Sequence, residues 1–149
     1  MESVKMFRDH TVFIDTSPFI YHIEGNPKYR EWLSAFFDEL DCGSFFAFAS
    51  VLALMEVLVV PYKHDRQSTI QLLENLLLNT WNLKLLPVGN EIARLAARMR
   101  ADHNPTLADA VHIASAVYHE ADFFLTNDRK LKRVRQCRVI CLDDLQPTK

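Results

Sequence analysis

Glu56 lies in a stretch that offers it no partner: Ser50-Val51-Leu52-Ala53-Leu54-Met55-Glu56-Val57-Leu58-Val59-Val60-Pro61. If the stretch is helical, the residues three and four positions away are Leu52, Ala53, Val59 and Val60, and none can pair with a carboxylate. An ionised carboxylate taken out of water without compensation costs several kcal/mol. A group elsewhere in the chain, or a bound cation, must answer this charge. Three more acids sit where a fold could bring them to the same place. Asp15 directly follows Thr11-Val12-Phe13-Ile14, Asp109 falls in the first turn of a helix opened by Thr106, and Asp128 comes three residues after Leu125. Each has a purely structural alternative: Asp15 as a helix cap, Thr106-Leu107-Ala108-Asp109 as a near capping box, Asp128 as a helix-dipole partner. Glu56 has no capping role to fall back on.

Four converging carboxylates repel unless something positive sits among them. Mg²⁺ or Mn²⁺, hard ions that prefer oxygen ligands, are the natural occupants. No histidine or cysteine cluster argues for zinc. One or two such ions, roughly 3.5–4 Å apart when paired, activate a water and stabilise the leaving oxygen in phosphodiester hydrolysis. The stretch after Asp128 supplies the complementary sign: Arg129, Lys130, Lys132, Arg133, Arg135 and Arg138 are six cations in ten residues. Such a run is either a solvated face or a strip that holds phosphates beside an acidic site. On the second reading Arg129, Lys130, Lys132 and Arg133 contact nucleic acid.

The elements that must position these residues are legible as a pattern. Thr11–Ile14 reads as a buried strand feeding a helix, with Pro18 at its first position and Phe19–His22 as its body. Lys28–Leu40 is an amphipathic helix through Trp32, Leu33, Phe36, Phe37 and Leu40. Phe45–Phe48 is a second strand, and the Glu56 stretch a helix ending at Pro61. In Asp65–Asn79 the leucines around Leu73–Leu77 exceed what one core contact needs and suggest a face shared with a second copy. Leu83–Val88, Phe123–Leu125 and Arg138–Leu142 are further strands; Glu91–Arg100 and Thr106–Tyr118 are helices. Short apolar strands alternating with helices specify an α/β domain, with three α/β/α layers around a mostly parallel five-stranded sheet. In such folds ligands bind at the carboxyl ends of the strands, where these acids fall.

The 149 residues suit one domain over 1–149, with 49% hydrophobic and 24% charged residues and a net charge of −2. That balance does not announce a nucleic-acid binder, so any basic patch is local. Three cysteines without a CxxC pair suit a reducing cytoplasm and pack as small core residues. The N-terminus lacks the apolar core of a signal peptide, and no apolar run approaches the ~18 residues of a membrane span.

Four stretches together resemble PIN-domain nucleases, specifically VapC-like toxins of toxin–antitoxin pairs. They are Val12-Phe13-Ile14-Asp15-Thr16-Ser17, the acid of Leu54-Met55-Glu56-Val57, Thr106–Ala116 with Asp109, and Leu125-Thr126-Asn127-Asp128-Arg129, in the family's order over nearly the whole chain. The resemblance implies that Asp15, Glu56, Asp109 and Asp128 are the metal-binding catalytic acids, with Thr16 and Thr126 as polar support. It also implies Mg²⁺- or Mn²⁺-dependent cleavage of RNA, a homodimer, and silencing by a cognate antitoxin. His112, Tyr21 and His22 are read as packing residues that could also line the site.

Two rivals remain open at this stage. A haloacid-dehalogenase-like phosphatase needs a second acid two residues after Asp15, where Ser17 stands. A catalytically silent PIN-like scaffold would use the same acids only to dock a basic partner. Neutralising Glu56 as Glu56→Gln is expected to retain or raise stability without metal.

Overall fold

The computed structural model describes residues 1–145; the end of the predicted 1–149 domain lies outside the described residues. After a 3-10 turn at Lys5–Phe7 come β1 (Thr11–Ile14), α1 (Thr16–Glu24), α2 (Arg30–Asp41) and β2 (Phe46–Ser50). There follow α3 (Val51–Lys63), α4 (Gln67–Asn79), β3 (Leu83–Leu86), α5 (Asn90–His103) and α6 (Leu107–Tyr118). β4 (Phe123–Thr126), a 3-10 turn at Arg129–Arg133, β5 (Arg138–Cys141) and a last turn at Leu142–Leu145 complete the described chain. All strand pairs are parallel, in the order β3-β2-β1-β4-β5. The sheet is thus fully parallel where the sequence indicated a mostly parallel one.

Alternation along β1 sends its side chains to two cores. Val12 and Ile14 join Phe19, Trp32, Phe36, Leu58 and Leu73 under α1–α4. Phe13 faces the other way, stacked on Phe124 at 5.3 Å, beneath α5 and α6. Helices therefore cover both faces, as a parallel sheet requires. β1 is central, and the chain proceeds outward to β2 and β3 on one side and to β4 and β5 on the other. The reversal falls between β1 and β4, where Ile14 pairs with Leu125. This is the crevice at which ligands bind in open parallel sheets.

Several boundaries move from their sequence positions. α1 begins at Thr16 with Asp15 as its cap, so Pro18 sits within the first turn. α1 ends at Gly25, whose φ of +64° is a left-handed conformation that disfavours a side chain. β2 starts at Phe46 rather than Phe45, and β3 stops at Leu86 before Pro87. α3 does not end at Pro61 but runs through it to Lys63. A proline this near the C-terminus removes one donor, and the following turn still closes through Arg66 N–H to Pro61 O at 3.0 Å. Leu73 and Leu77 are core residues rather than a partner face; the exposed apolar residues of α4 are Leu72 and Leu78. Cys141 is buried but Cys42 is exposed, against the expectation of three core cysteines.

Candidate active site

Asp15 leaves β1 in extended conformation, its N–H donating to Leu125 O at 2.9 Å. Its Oδ1 accepts from the Thr16 N–H and its Oδ2 from the Thr126 hydroxyl, each at 2.8 Å. Thr126 is fully buried at the end of β4, and its Oγ1 also accepts the Asp128 N–H at 3.0 Å. One hydroxyl thus joins Asp15 and Asp128 across the crevice. Asp128 in turn caps the next turn, accepting from the Lys130 N–H at 2.9 Å. Asp109 is fixed through its backbone, whose N–H donates to the Thr106 side chain at 3.1 Å. The capping alternatives for these acids are therefore real, and they orient the carboxylates rather than replace them.

Glu56 reaches the same place from the second turn of α3. It is half-buried rather than enclosed, with a side chain 35% exposed. Its Oε1 accepts from His112 Nε2 at 2.6 Å and from the Thr16 hydroxyl at 2.8 Å. Part of the charge is thus answered within the chain. The hydrogen bond from His112 holds the Glu56 carboxyl below the ordinary carboxylate range, against the opposing effect of burial. His112 lies on α6 one turn after Asp109, 1% exposed, with Nε2 also 3.7 Å from Asp15 Oδ1. Its Nδ1 is enclosed and has no hydrogen-bond partner. That assigns the ring proton to Nε2, because an enclosed unpaired N–H costs more than a bare lone pair.

All four acids line one open cleft of about 410 Å³, together with Thr16 and His112. Tyr21 and Asn127 also line it, and among the described residues no lysine or arginine does. Burial pushes the Asp109 carboxyl above its usual range, and the charges of Asp15 and Asp128 push in the same direction. Among the described residues no three such side chains form a ready-made metal cage. The donor set is nevertheless all hard oxygen, in a negative field that a divalent cation relieves, so the residues fit Mg²⁺ or Mn²⁺. Asp15, Asp109 and Asp128 are the residues that could hold it, with Glu56 contributing the Oε2 that its hydrogen bonds leave free.

The other sequence candidates divide. Arg129 lies 3.8 Å from Asp143 and 3.4 Å from Asp144, and Lys132 pairs with Asp144, so both are drawn toward the last described turn. Lys130 and Arg133 make no ion pair among the described residues. His22 does not reach the cleft; its ring packs on Phe37 at 4.3 Å. One contribution escaped the sequence. The Tyr29 hydroxyl donates to Asp143 Oδ1 at 2.6 Å and accepts from Asn127 Nδ2 at 3.0 Å, tying α2 to the loop that carries Asp128.

Comparison with known proteins adds the family. A comparison with curated protein sequences gives no significant match. Among solved structures, DNA-bound VapBC from Salmonella typhimurium matches with a TM-score of 0.70 at 18% identity, over 89% of this chain and 98% of that one. VapBC2 from Rickettsia felis bound to a promoter DNA fragment gives 0.68 at 15% identity, over 88% and 98%. The sarcin-ricin-loop-cleaving toxin VapC20 from Mycobacterium tuberculosis gives 0.66 at 13% identity, over 85% and 98%. At these identities the likeness is one of fold. The PIN domain family model matches residues 12–136, spanning all four acids, and this chain belongs to the PIN domain family, a family of nucleases.

Proposed function

We propose that the protein is a divalent-metal-dependent endoribonuclease and the toxin of a toxin–antitoxin pair. The observation that carries this reading is the convergence of Asp15, Glu56, Asp109 and Asp128, from four separate elements, on one cleft that no lysine or arginine lines among the described residues. A phosphodiester cannot approach such a cleft unaided, because its own charge is repelled. When bound, Mg²⁺ or Mn²⁺ supplies polarisation of a phosphate oxygen and a more acidic water. The protein's part is geometry. Thr126 fixes Asp15 relative to Asp128, Thr16 and His112 fix Glu56, and Lys130 and Arg133 hold the backbone of the RNA beyond the acids.

Two partners fit the rest of the surface. A groove of about 370 Å³ between α1, α3 and α4, lined by Ile20, Ile23, Val60 and Leu72, shares Glu56 with the cleft. An antitoxin helix seated there would hold the protein and cover the acids together. VapBC assemblies among the structural matches support such a partner. Val51, Met55 and Val59 form an exposed apolar stripe on α3, 42%, 66% and 44% exposed, suited to a homodimer. Val59→Lys is expected to shift the protein to monomer in sedimentation. No helix among the described residues is long and apolar enough to cross a membrane; the reading places the protein in the cytoplasm.

The test is cleavage of RNA by the purified protein in Mg²⁺ or Mn²⁺. Asp15→Asn and Asp109→Asn are expected to lower the rate at least 100-fold while leaving the far-UV spectrum unchanged. A wild type that cuts no RNA with either ion, yet binds a basic partner through these acids, would establish the scaffold reading instead.

A further inference from the structure

A second cavity, of about 190 Å³, opens on the α5 side of α6. Its floor is apolar: Met99 from α5, Ile113 from α6, Leu131 and Val134. Its rim is polar and cationic: Arg133, Arg135 and Gln136, with His103 at the end of α5. The cavity and the acidic cleft have no lining residue in common, but two elements contribute to both or lead from one to the other. Ile113 is one helical turn, about 6 Å of rise, beyond Asp109. Leu131 is in the short turn that Asp128 caps. A strand of nucleic acid that left the cleft along this turn would run toward the cavity.

We propose that this cavity is a nucleobase subsite, which takes one unstacked base of the RNA a short distance from the scissile phosphate. The inference rests on the nuclease reading of the cleft and deepens it. The charges decide the occupant. Of the run 129–138, Arg129 and Lys132 are engaged by Asp143 and Asp144, away from the cavity. Arg133 and Arg135, at the cavity's rim, have no acidic partner among the described residues. A ligand that matches this site has a flat apolar body, polar edges and an attached anion. A nucleotide has all three, whereas an aliphatic side chain of a protein partner would leave both guanidiniums unanswered. Single-stranded bases are held in this way, with a face against apolar, imidazole or guanidinium groups and an edge on an amide. The Gln136 carbonyl oxygen accepts from the Arg135 N–H at 3.1 Å, which turns its amide nitrogen free for a base edge.

The test measures binding with cutting blocked. Asp109→Asn protein in Mn²⁺ is used to retain oligoribonucleotides from a random pool, and one retained sequence is rebuilt with an abasic nucleotide at each position in turn. One position away from the scissile bond is expected to lose about ten-fold in affinity. Val134→Trp, which fills the cavity from the half-buried edge of its apolar floor, is expected to lose the same ten-fold on intact RNA and nothing further on the abasic one. Arg135→Glu, whose exposed side chain bears no load in the fold, is expected to flatten the salt dependence by about 0.7 in log–log slope. An even abasic scan, or a Val134→Trp protein that melts normally and binds RNA like its parent, overturns the subsite and leaves the nuclease reading intact. Loss of a protein partner instead of RNA in that variant overturns it in favour of a docking pocket. A pool from which nothing is retained overturns both.

Discussion

His112 Nε2 lies 2.6 Å from Glu56 Oε1, and this contact joins the one acid of α3 to the inner face of α6. It reverses an expectation drawn from the sequence. With only apolar neighbours, Glu56 was a charge whose removal should relieve the fold. With His112 donating to it, Glu56→Gln exchanges a charge-assisted hydrogen bond for a neutral one beside a buried ring. Hydrogen bonds to charged groups contribute ~1.5–3 kcal/mol net, and the half-exposed position screens this to about 1 kcal/mol. Without metal, Glu56→Gln is expected to melt roughly 3 °C lower than wild type. Added Mn²⁺ should stabilise it less than it stabilises wild type. Calorimetric scans with and without Mn²⁺ check both statements, and equal Mn²⁺ shifts would remove Glu56 from the ligand set.

Asp109 has the opposite sign. Its carboxyl is raised by burial and by Asp15 and Asp128, so the folded protein gives up this proton less readily than the unfolded chain. Above the raised folded value, the ionised group therefore subtracts from stability. As pH falls through that value toward the unfolded one, the penalty disappears. Without metal, Asp109→Asn is expected to melt higher than wild type at pH 7, by on the order of 1 °C. The gap should close by about pH 4. Melts across that range decide it, and a lower melting temperature for the variant at pH 7 contradicts the assignment.

These two acids show which parts of the site the sequence could express. Asp15 and Asp128 were legible because an apolar run ending in an acid marks the carboxyl end of a buried strand, and parallel sheets put such ends together. Glu56 was legible as an anomaly, a charge that local helix geometry left without a partner. The partner was not legible, since it depends on how α3 crosses α6, which no spacing within either helix encodes. A histidine on an apolar helix satisfies many environments. Leu73 and Leu77 misled for a related reason: α4 packs both against the same core as α1 and α3, and only the tertiary arrangement distinguishes them from Leu72. The division of the basic run was equally hidden, because the turn after β5 sets Asp143 and Asp144 against Arg129 and Lys132.

That division yields a prediction about affinity. Asp144 engages both Arg129 and Lys132, so on the proposed nuclease reading the fold would compete with RNA for two of its candidate phosphate contacts. These pairs are exposed and contribute little to stability. Asp144→Asn is expected to leave the melting temperature nearly unchanged and to tighten RNA binding several-fold at low salt. The salt dependence should steepen by about 0.7 in log–log slope for each cation released to a phosphate. Fluorescence titrations at several salt concentrations measure this, and an unchanged slope returns Arg129 and Lys132 to a solvated face.

Tyr29 is predicted to act on the reaction without touching the RNA. Its ring is stacked on Tyr21 at 5.0 Å, and its hydroxyl bridges Asp143 and Asn127. Asn127 sits between Thr126 and Asp128, and its Oδ1 also accepts from the Cys141 thiol at 3.6 Å. Tyr29→Phe keeps the stacking but leaves the Asn127 side chain held by Cys141 alone, so the loop that carries Asp128 loses one of its two side-chain restraints at Asn127. Small displacements of a reacting group lower rates steeply. The expected result is a kcat reduced about ten-fold with KM little changed, and a weaker Mn²⁺ affinity read by calorimetry in the absence of RNA. A purely structural role for the hydroxyl would lower the melting temperature and leave both kcat and Mn²⁺ affinity in place. Asp143→Asn separates the two ends of the bridge. It keeps an acceptor for the tyrosine hydroxyl, so Asn127 stays held and kcat should remain close to wild type even as the ion pair with Lys28 is lost.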